Sequence, residues 1–326
     1  MSQTLPRISL ALAMLALVSP ARADTYPSRQ ITIMPLLAPG TGLDTAVRLY
    51  GEKLAQSFGK PVVIENKPGA AGFAGIAALK SAPADGYTLM VATSAVMAIR
   101  PTLLKHTPYD AEKDFVPIAL YVKSPFILVV DPKLPIHSVP ELIKYVRERP
   151  GQISFSSSGV GGAPHLSVEF MKQKFGLDIA HVPYRNSPQS IADIAAGHIG
   201  MAFAEAGASL PLIRAGNLRA LAVTAAKRIP SATELPPLGE TVGMPDFEAV
   251  SWHVLLALDG TPKEIVDKLH GEMKRIMAMS DVREKVSALG LIPIEIASID
   301  DMRSYIRSEG EKWGSLVRKL GLQGSQ

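Results

Sequence analysis

Ile153-Ser154-Phe155-Ser156-Ser157-Ser158-Gly159-Val160-Gly161-Gly162-Ala163-Pro164-His165-Leu166 decides the fold class. Residues 153–158 alternate as a strand does, the glycines break it, and a helical pattern then runs through residue 175. The same grammar recurs upstream. A strand over 30–35 meets the breaker Ala38-Pro39-Gly40-Thr41-Gly42, and a helix follows with Val47, Tyr50, Leu54 and Phe58 on one face. Further strands are predicted at 61–66, 87–93, 179–184, 199–204, 219–224 and 250–258, with helical segments between most of them. Strands separated by helices predict an α/β protein with mostly parallel sheets covered on both faces.

Helix ends carry their own signals. Ser138-Val139-Pro140-Glu141 and Thr261-Pro262-Lys263-Glu264 both read as capping boxes, the second with proline at the first helical position. Ser298 starts the last helix and Gly321 stops it. Two strand-like stretches beside prolines, 121–127 and 247–255, are suited to carry the chain between lobes. If both cross, lobe one holds residues 24–123 plus 249–326 and lobe two holds 124–248, joined by a two-strand hinge that bends without letting the lobes separate.

The composition excludes several chemistries. There are 326 residues, 34 Lys plus Arg against 30 Asp plus Glu, 6% aromatics and no cysteine. No disulfide framework, thiolate metal site or cysteine nucleophile is available, and a nucleic-acid reader needs a stronger basic stripe. The N-terminus reads as a secretory signal peptide over residues 1–23. Arg7 precedes an apolar run over 8–18, and Ala21-Arg22-Ala23 supplies a cleavage site. That run is too short to span a bilayer. The expectation is an exported, soluble protein, cleaved after Ala23.

Catalytic motifs are mostly missing. The seven histidines show no H-x-x-x-H spacing, so no metal is expected. There is no G-x-S-x-G elbow. Ser57-Phe58-Gly59-Lys60 matches S-x-x-K but sits at a helix end without its companion motifs. The loop 159–164 has Pro164 where a dinucleotide fingerprint needs its third glycine. What remains are strand–loop–helix junctions at 39–44, 93–95 and 156–162. Their exposed helix N–H groups, gathered at strand carboxyl ends, form an anion site without basic side chains.

Tyr26-Pro27-Ser28-Arg29-Gln30-Ile31, Pro61-Val62-Val63-Ile64-Glu65-Asn66-Lys67-Pro68-Gly69-Ala70, Ala84-Asp85-Gly86-Tyr87-Thr88-Leu89, His181-Val182-Pro183-Tyr184 and Leu218-Arg219-Ala220-Leu221-Ala222-Val223-Thr224 occur in order along the chain. Together they resemble the Bug (TctC-like) family, periplasmic substrate-binding proteins of tripartite tricarboxylate transporters. The resemblance implies a two-lobed, type II-like Venus-flytrap fold and a small carboxylate ligand, either a di- or tricarboxylate or an aromatic carboxylate. It also implies delivery to the membrane permease subunits, with no cofactor, no catalytic residue and a monomeric state. By position it places ligand contacts at Gly40, Thr41, Gly42, Asp44, Thr93 and Ser94 in lobe one. In lobe two they fall at Ser156, Ser157, Ser158, Gly159, Tyr184, Ala204 and Glu205. Phe203-Ala204-Glu205 departs from the phenylalanine-aspartate-asparagine common at that strand end, which points away from an amino-acid ligand. Two rival readings share the sequence. One is an extracytoplasmic ligand sensor of the same fold; the other is a secreted hydrolase with a nucleophile among Ser156–Ser158 and His165 as base.

Overall fold

The computed structural model describes residues 26–69, 72–157, 159–184, 187–245, 247–295 and 298–325. The expected signal peptide and Ser158 lie outside the described residues. Among the described residues, eleven strands form two sheets. In chain order, β1 (Ile31–Pro35), β2 (Val62–Ile64), β3 (Thr88–Thr93) and β4 (Phe115–Ser124) belong to the first sheet. The second sheet holds β5 (Phe126–Val130), β6 (Ser154–Ser157), β7 (Ala180–Pro183), β8 (Met201–Glu205) and β9 (Arg219–Val223). The chain then returns to the first sheet with β10 (Ser251–Leu258) and β11 (Ile292–Pro293). The strand orders are β11-β4-β10-β3-β1-β2 and β7-β6-β8-β5-β9.

The sheets are mixed rather than mostly parallel. β1 pairs in parallel with β2 and β3, and β6 with β7 and β8. β10 runs antiparallel to both β3 and β4, and β5 antiparallel to both β8 and β9. The physical reason is the crossover. The chain leaves the first sheet at Ser124, turns at Pro125 and starts β5 at Phe126, so β5 points away from the junction that its neighbours point toward. On the return, the Ala249 N–H still bonds the Thr224 carbonyl at 3.0 Å, and Ser251 is already in register with Ser124 of β4. β10 therefore also starts at the junction. The remaining long strands of both sheets end there, which brings two sets of strand carboxyl ends face to face.

Helices cover both faces of each sheet. On the first sheet, α1 (Gly42–Phe58), α9 (Lys263–Met277) and α10 (Ser280–Ala288) share one core with Ile31, Leu89 and Leu255. The opposite face carries α2 (Phe73–Lys80), a π-helical turn (Ala95–Ile99) running into α3 (Arg100–Leu103), and α11 (Ile299–Lys319). That core continues into the second lobe beneath α4 (Val139–Glu148), α5 (Ala163–Phe175) and the short α8 (Leu238–Thr241). The last face of the second sheet is covered by α6 (Ser187–Ala196) and α7 (Ala206–Arg214). In the shared core, Trp252 and Trp313 both donate their indole N–H to Glu309 Oε2, at 2.9 and 3.1 Å.

The expected helix caps separate into three outcomes. Ser298 and Asp301 form a full reciprocal box at the start of α11. Ser138 accepts from the Glu141 N–H, but the Glu141 carboxylate reaches one residue further back, to the His137 N–H at 2.7 Å. The box at Thr261 does not form. Pro262 takes the N-cap position, and the Thr261 hydroxyl donates to the Leu258 carbonyl instead.

Candidate functional site

The first-lobe loop between β1 and α1 is organised around Asp44. Its carboxylate is buried and accepts from the Gly40 N–H at 2.9 Å, Asn66 Nδ2 at 2.8 Å and Arg48 Nε at 3.0 Å. Asn66 also donates to the Leu37 carbonyl and accepts from Arg48. Burial alone would raise the Asp44 carboxyl; the hydrogen bonds from Arg48, Asn66 and Gly40 outweigh it and hold the group below the usual carboxylate range. Thr41 caps α1 by accepting the Asp44 N–H. Asp44 and the Gly40 N–H thus hold the loop's shape, and Gly42 opens the first turn of α1. Asn66, within the quoted asparagine-lysine-proline string, is a loop-holding residue that the sequence reading left off its site list.

Thr93 ends β3, and Ser94 follows with its hydroxyl 3.2 Å from that of Ser251, across the 157 residues that separate them. Two basic groups approach this lobe's loops. Arg48 is held by Asp44 and Asn66. The Arg100 guanidinium lies 3.7 Å from where a Cβ on Gly72 would sit. Neither was a sequence candidate.

In the second lobe the serines of β6 face opposite ways, as strand alternation requires. Ser156 is buried and accepts from the Ser190 hydroxyl of α6 at 2.7 Å. Ser157 turns to the other face, where its hydroxyl donates to the Gly159 carbonyl and sits 2.7 Å from His181 Nε2. His181 stacks on Phe155 and lies 4.3 Å, ring to ring, from His165. His165 Nδ1 accepts the Gly161 N–H at 3.2 Å. Burial, and then the neighbouring imidazole, lower His181 to about 4; burial also lowers His165. Both rings are neutral at neutral pH, and His165 must stay unprotonated at Nδ1 to hold Gly161. Gly162 caps α5 with no side chain engaged, and with the Gly161 N–H taken by His165 and Pro164 lacking one, the helix start has no side-chain cap.

Tyr184 follows β7; its hydroxyl donates to Asp193 at 2.5 Å, and that bond, ahead of burial, pushes its pKa up to about 12. Ala204 is buried, and Glu205 closes β8 and caps α7 without a side-chain cap bond. The Glu205 carboxyl has no hydrogen bond or ion pair among the described residues, and burial raises its pKa.

The register collects these positions at one edge. Glu205 is opposite Phe126, and His253 is opposite Thr93, each one or two residues from a crossover. The 39–44 loop, Thr93–Ser94, the 159–162 loop, Tyr184 and Glu205 therefore all lie at or follow strand ends that point at the junction. The hydrolase geometry is absent among the described residues. His165 holds a backbone N–H, not a serine. The Ser157 hydroxyl proton goes to Gly159, so the His181 contact has Nε2–H donating, the reverse of a general base. Among the described residues no carboxylate bonds either ring. No group of three or more His, Cys, Asp or Glu positioned to hold a metal occurs among the described residues.

Comparison with known proteins follows the same lines. Residues 46–322 match the family described as tripartite tricarboxylate transporter family receptor. Protein BugT of Bordetella pertussis is 33% identical over 322 residues, covering 98% of each chain. The solved structure of R. palustris Rpa4515 with adipate superposes with a TM-score of 0.83 at 33% identity, over 91% of this chain and 98% of that one. The periplasmic binding protein BugD gives 0.80 at 28% identity, over 91% and 99%.

Proposed function

Because this chain belongs to the tripartite tricarboxylate transporter receptor family, we propose that it captures a small carboxylate between its two lobes and hands it to a permease of the tripartite type. The observation that carries this reading is the convergence of strand carboxyl ends and helix starts from both sheets at the crossover edge. An anion placed there meets backbone N–H groups and the positive ends of helices. The first-lobe donors are at Gly42 and Ser94; the second-lobe donors are in the loop that ends at Gly162. The lobes are residues 24–123 plus 249–326 and residues 124–248, and the mature chain starts after the leader that ends at Ala23. The protein works in the periplasm as a monomer, and binding rather than turnover is its task.

Glu205 sets the character of the second end of the ligand. A half-buried carboxyl with no partner among the described residues disfavours a second carboxylate beside it, so a carboxylate with an apolar tail suits this cleft better than citrate. Adipate, found with one solved relative, carries a carboxylate at each end of its aliphatic chain, so on this reading it binds here less tightly than a monocarboxylate with a tail of the same length.

The test is a thermal-shift screen of the mature protein against aliphatic di- and tricarboxylates, aromatic carboxylates and amino acids, followed by titration calorimetry. A ligand at about a hundred times its Kd stabilises the fold by about 2.7 kcal/mol. Failure of every carboxylate to raise the melting temperature refutes the reading. Binding restricted to citrate or acidic amino acids refutes the role given to Glu205.

A further inference from the structure

Two of the close approaches between the lobes are made at glycines, and one of them is backbone against backbone. On the α5 side, a Cβ placed on Gly161 would overlap the Leu103 side chain of the first lobe. On the α7 side, a Cβ on Gly207 would overlap the carbonyl oxygen of Leu289, and one on Gly290 would stand 2.7 Å from the Gly207 nitrogen and 2.9 Å from its Cα. Leu289 is the C-cap of α10, and its carbonyl oxygen lies 3.6 Å from the Cβ position of Gly42 in the first turn of α1. The negative end of one helix thus sits between the positive ends of two others, one in each lobe.

Resting on the reading of the cleft as a ligand-capture site, we infer that Gly207 and Gly290 are positioning residues for lobe closure. Having no side chain at either position lets the first turn of α7 seat on the Leu289 carbonyl, and this seat defines the closed state. The two glycines differ in what they permit locally. Gly290 has φ of 76° and needs glycine for its own backbone. Gly207 lies in the regular first turn of α7, where alanine is the better helix former. A methyl group at 207 therefore costs the isolated lobe nothing and meets only the opposite lobe. The atom it meets is a backbone oxygen, which has no rotamer through which to yield.

The test is Gly207→Ala, with Gly310→Ala as control. Gly310 is also helical, in α11, and a Cβ there meets nothing within 4 Å. The chain has no cysteine, so spin labels on Glu284→Cys in α10 and Asn217→Cys after α7, both exposed, read the interlobe distance without background. Distances are measured in buffer and in excess adipate, beside melting temperatures. In wild type and G310A the separation of this structure is populated in at least one condition. In G207A it is lost in both, its melting temperature without ligand is no lower than wild type, and affinity for adipate falls roughly 5–150-fold. The inference is overturned if G207A reaches the short separation, if wild type reaches it in neither condition, or if G207A is less stable than wild type without ligand. Whether adipate raises the wild-type melting temperature is a separate readout and bears on the binding proposal alone.

Discussion

Replacing Asp44 by alanine removes the acceptor that three donors share, and the expected loss follows from their geometry. The Gly40 N–H and the Asn66 amide bond a buried carboxylate at 2.9 and 2.8 Å, and hydrogen bonds to a charged group contribute about 1.5–3 kcal/mol each. Arg48 lies at 3.0 Å but is half exposed, so its pair adds at most about 1 kcal/mol. The sum is about 3–7 kcal/mol, and its lower part coincides with the about 3–5 kcal/mol lost when one partner of a buried charged pair is removed. Asp44→Asn retains one acceptor and should lose about half as much, and Arg48→Ala less than about 1 kcal/mol. The sign with pH is set by the lowered carboxyl pKa. The contribution is present above the unfolded value near 4 and is lost as pH falls through the folded one. Urea denaturation of the variants at neutral pH and below about pH 3 reads both effects. A D44A loss under about 1 kcal/mol at neutral pH, or a gap from wild type that does not narrow in acid, refutes the view of Asp44 as the hub of the loop.

Three further outcomes are expected. His253 is buried with neither ring nitrogen bonded among the described residues, and burial lowers it to about 3; with His181 lowered to about 4, stability should fall as pH drops from about 6.5 toward 3, and His253→Phe should flatten that slope in urea midpoints taken across the range. Glu205 is raised by burial without a compensating cation, so its charge opposes folding above the unfolded carboxyl pKa; Glu205→Gln should melt no lower than wild type at neutral pH in calorimetry, and a clear loss would mean the carboxylate has a partner. Glu309, 6% exposed, accepts both indole N–H groups and Lys312 at 2.8 Å; Glu309→Ala should cost about 3–5 kcal/mol, with Glu309→Gln milder, and tryptophan fluorescence during denaturation reports it directly because both tryptophans of the chain are involved.

What the sequence made legible was local. Alternation of strand and helix, the glycine-rich breakers and the caps at Ser138 and Ser298 depend on near neighbours, and periodicity records them. Partnerships across distance were not legible. Position alone put Asp44 among the ligand contacts, but its hold on the loop depends on Asn66, 22 residues away. Ser94 needed Ser251, and the Ser157 loop needed His181, which stood in a quoted motif without an assigned role. Strand direction was not legible either, since a period of two is the same read forwards or backwards. That gap bears on function. A search for ligand contacts just past strand ends finds Thr93, Ser157 and Glu205, because those strands run toward the junction. β5 and β10 have just crossed it and run away, so their first residues border the cleft, and Ser251 enters the site from the start of its strand. In a fold with two crossovers, site residues therefore belong to two classes, those after ordinary strands and those opening the strands that follow a crossover, and only chain direction separates them.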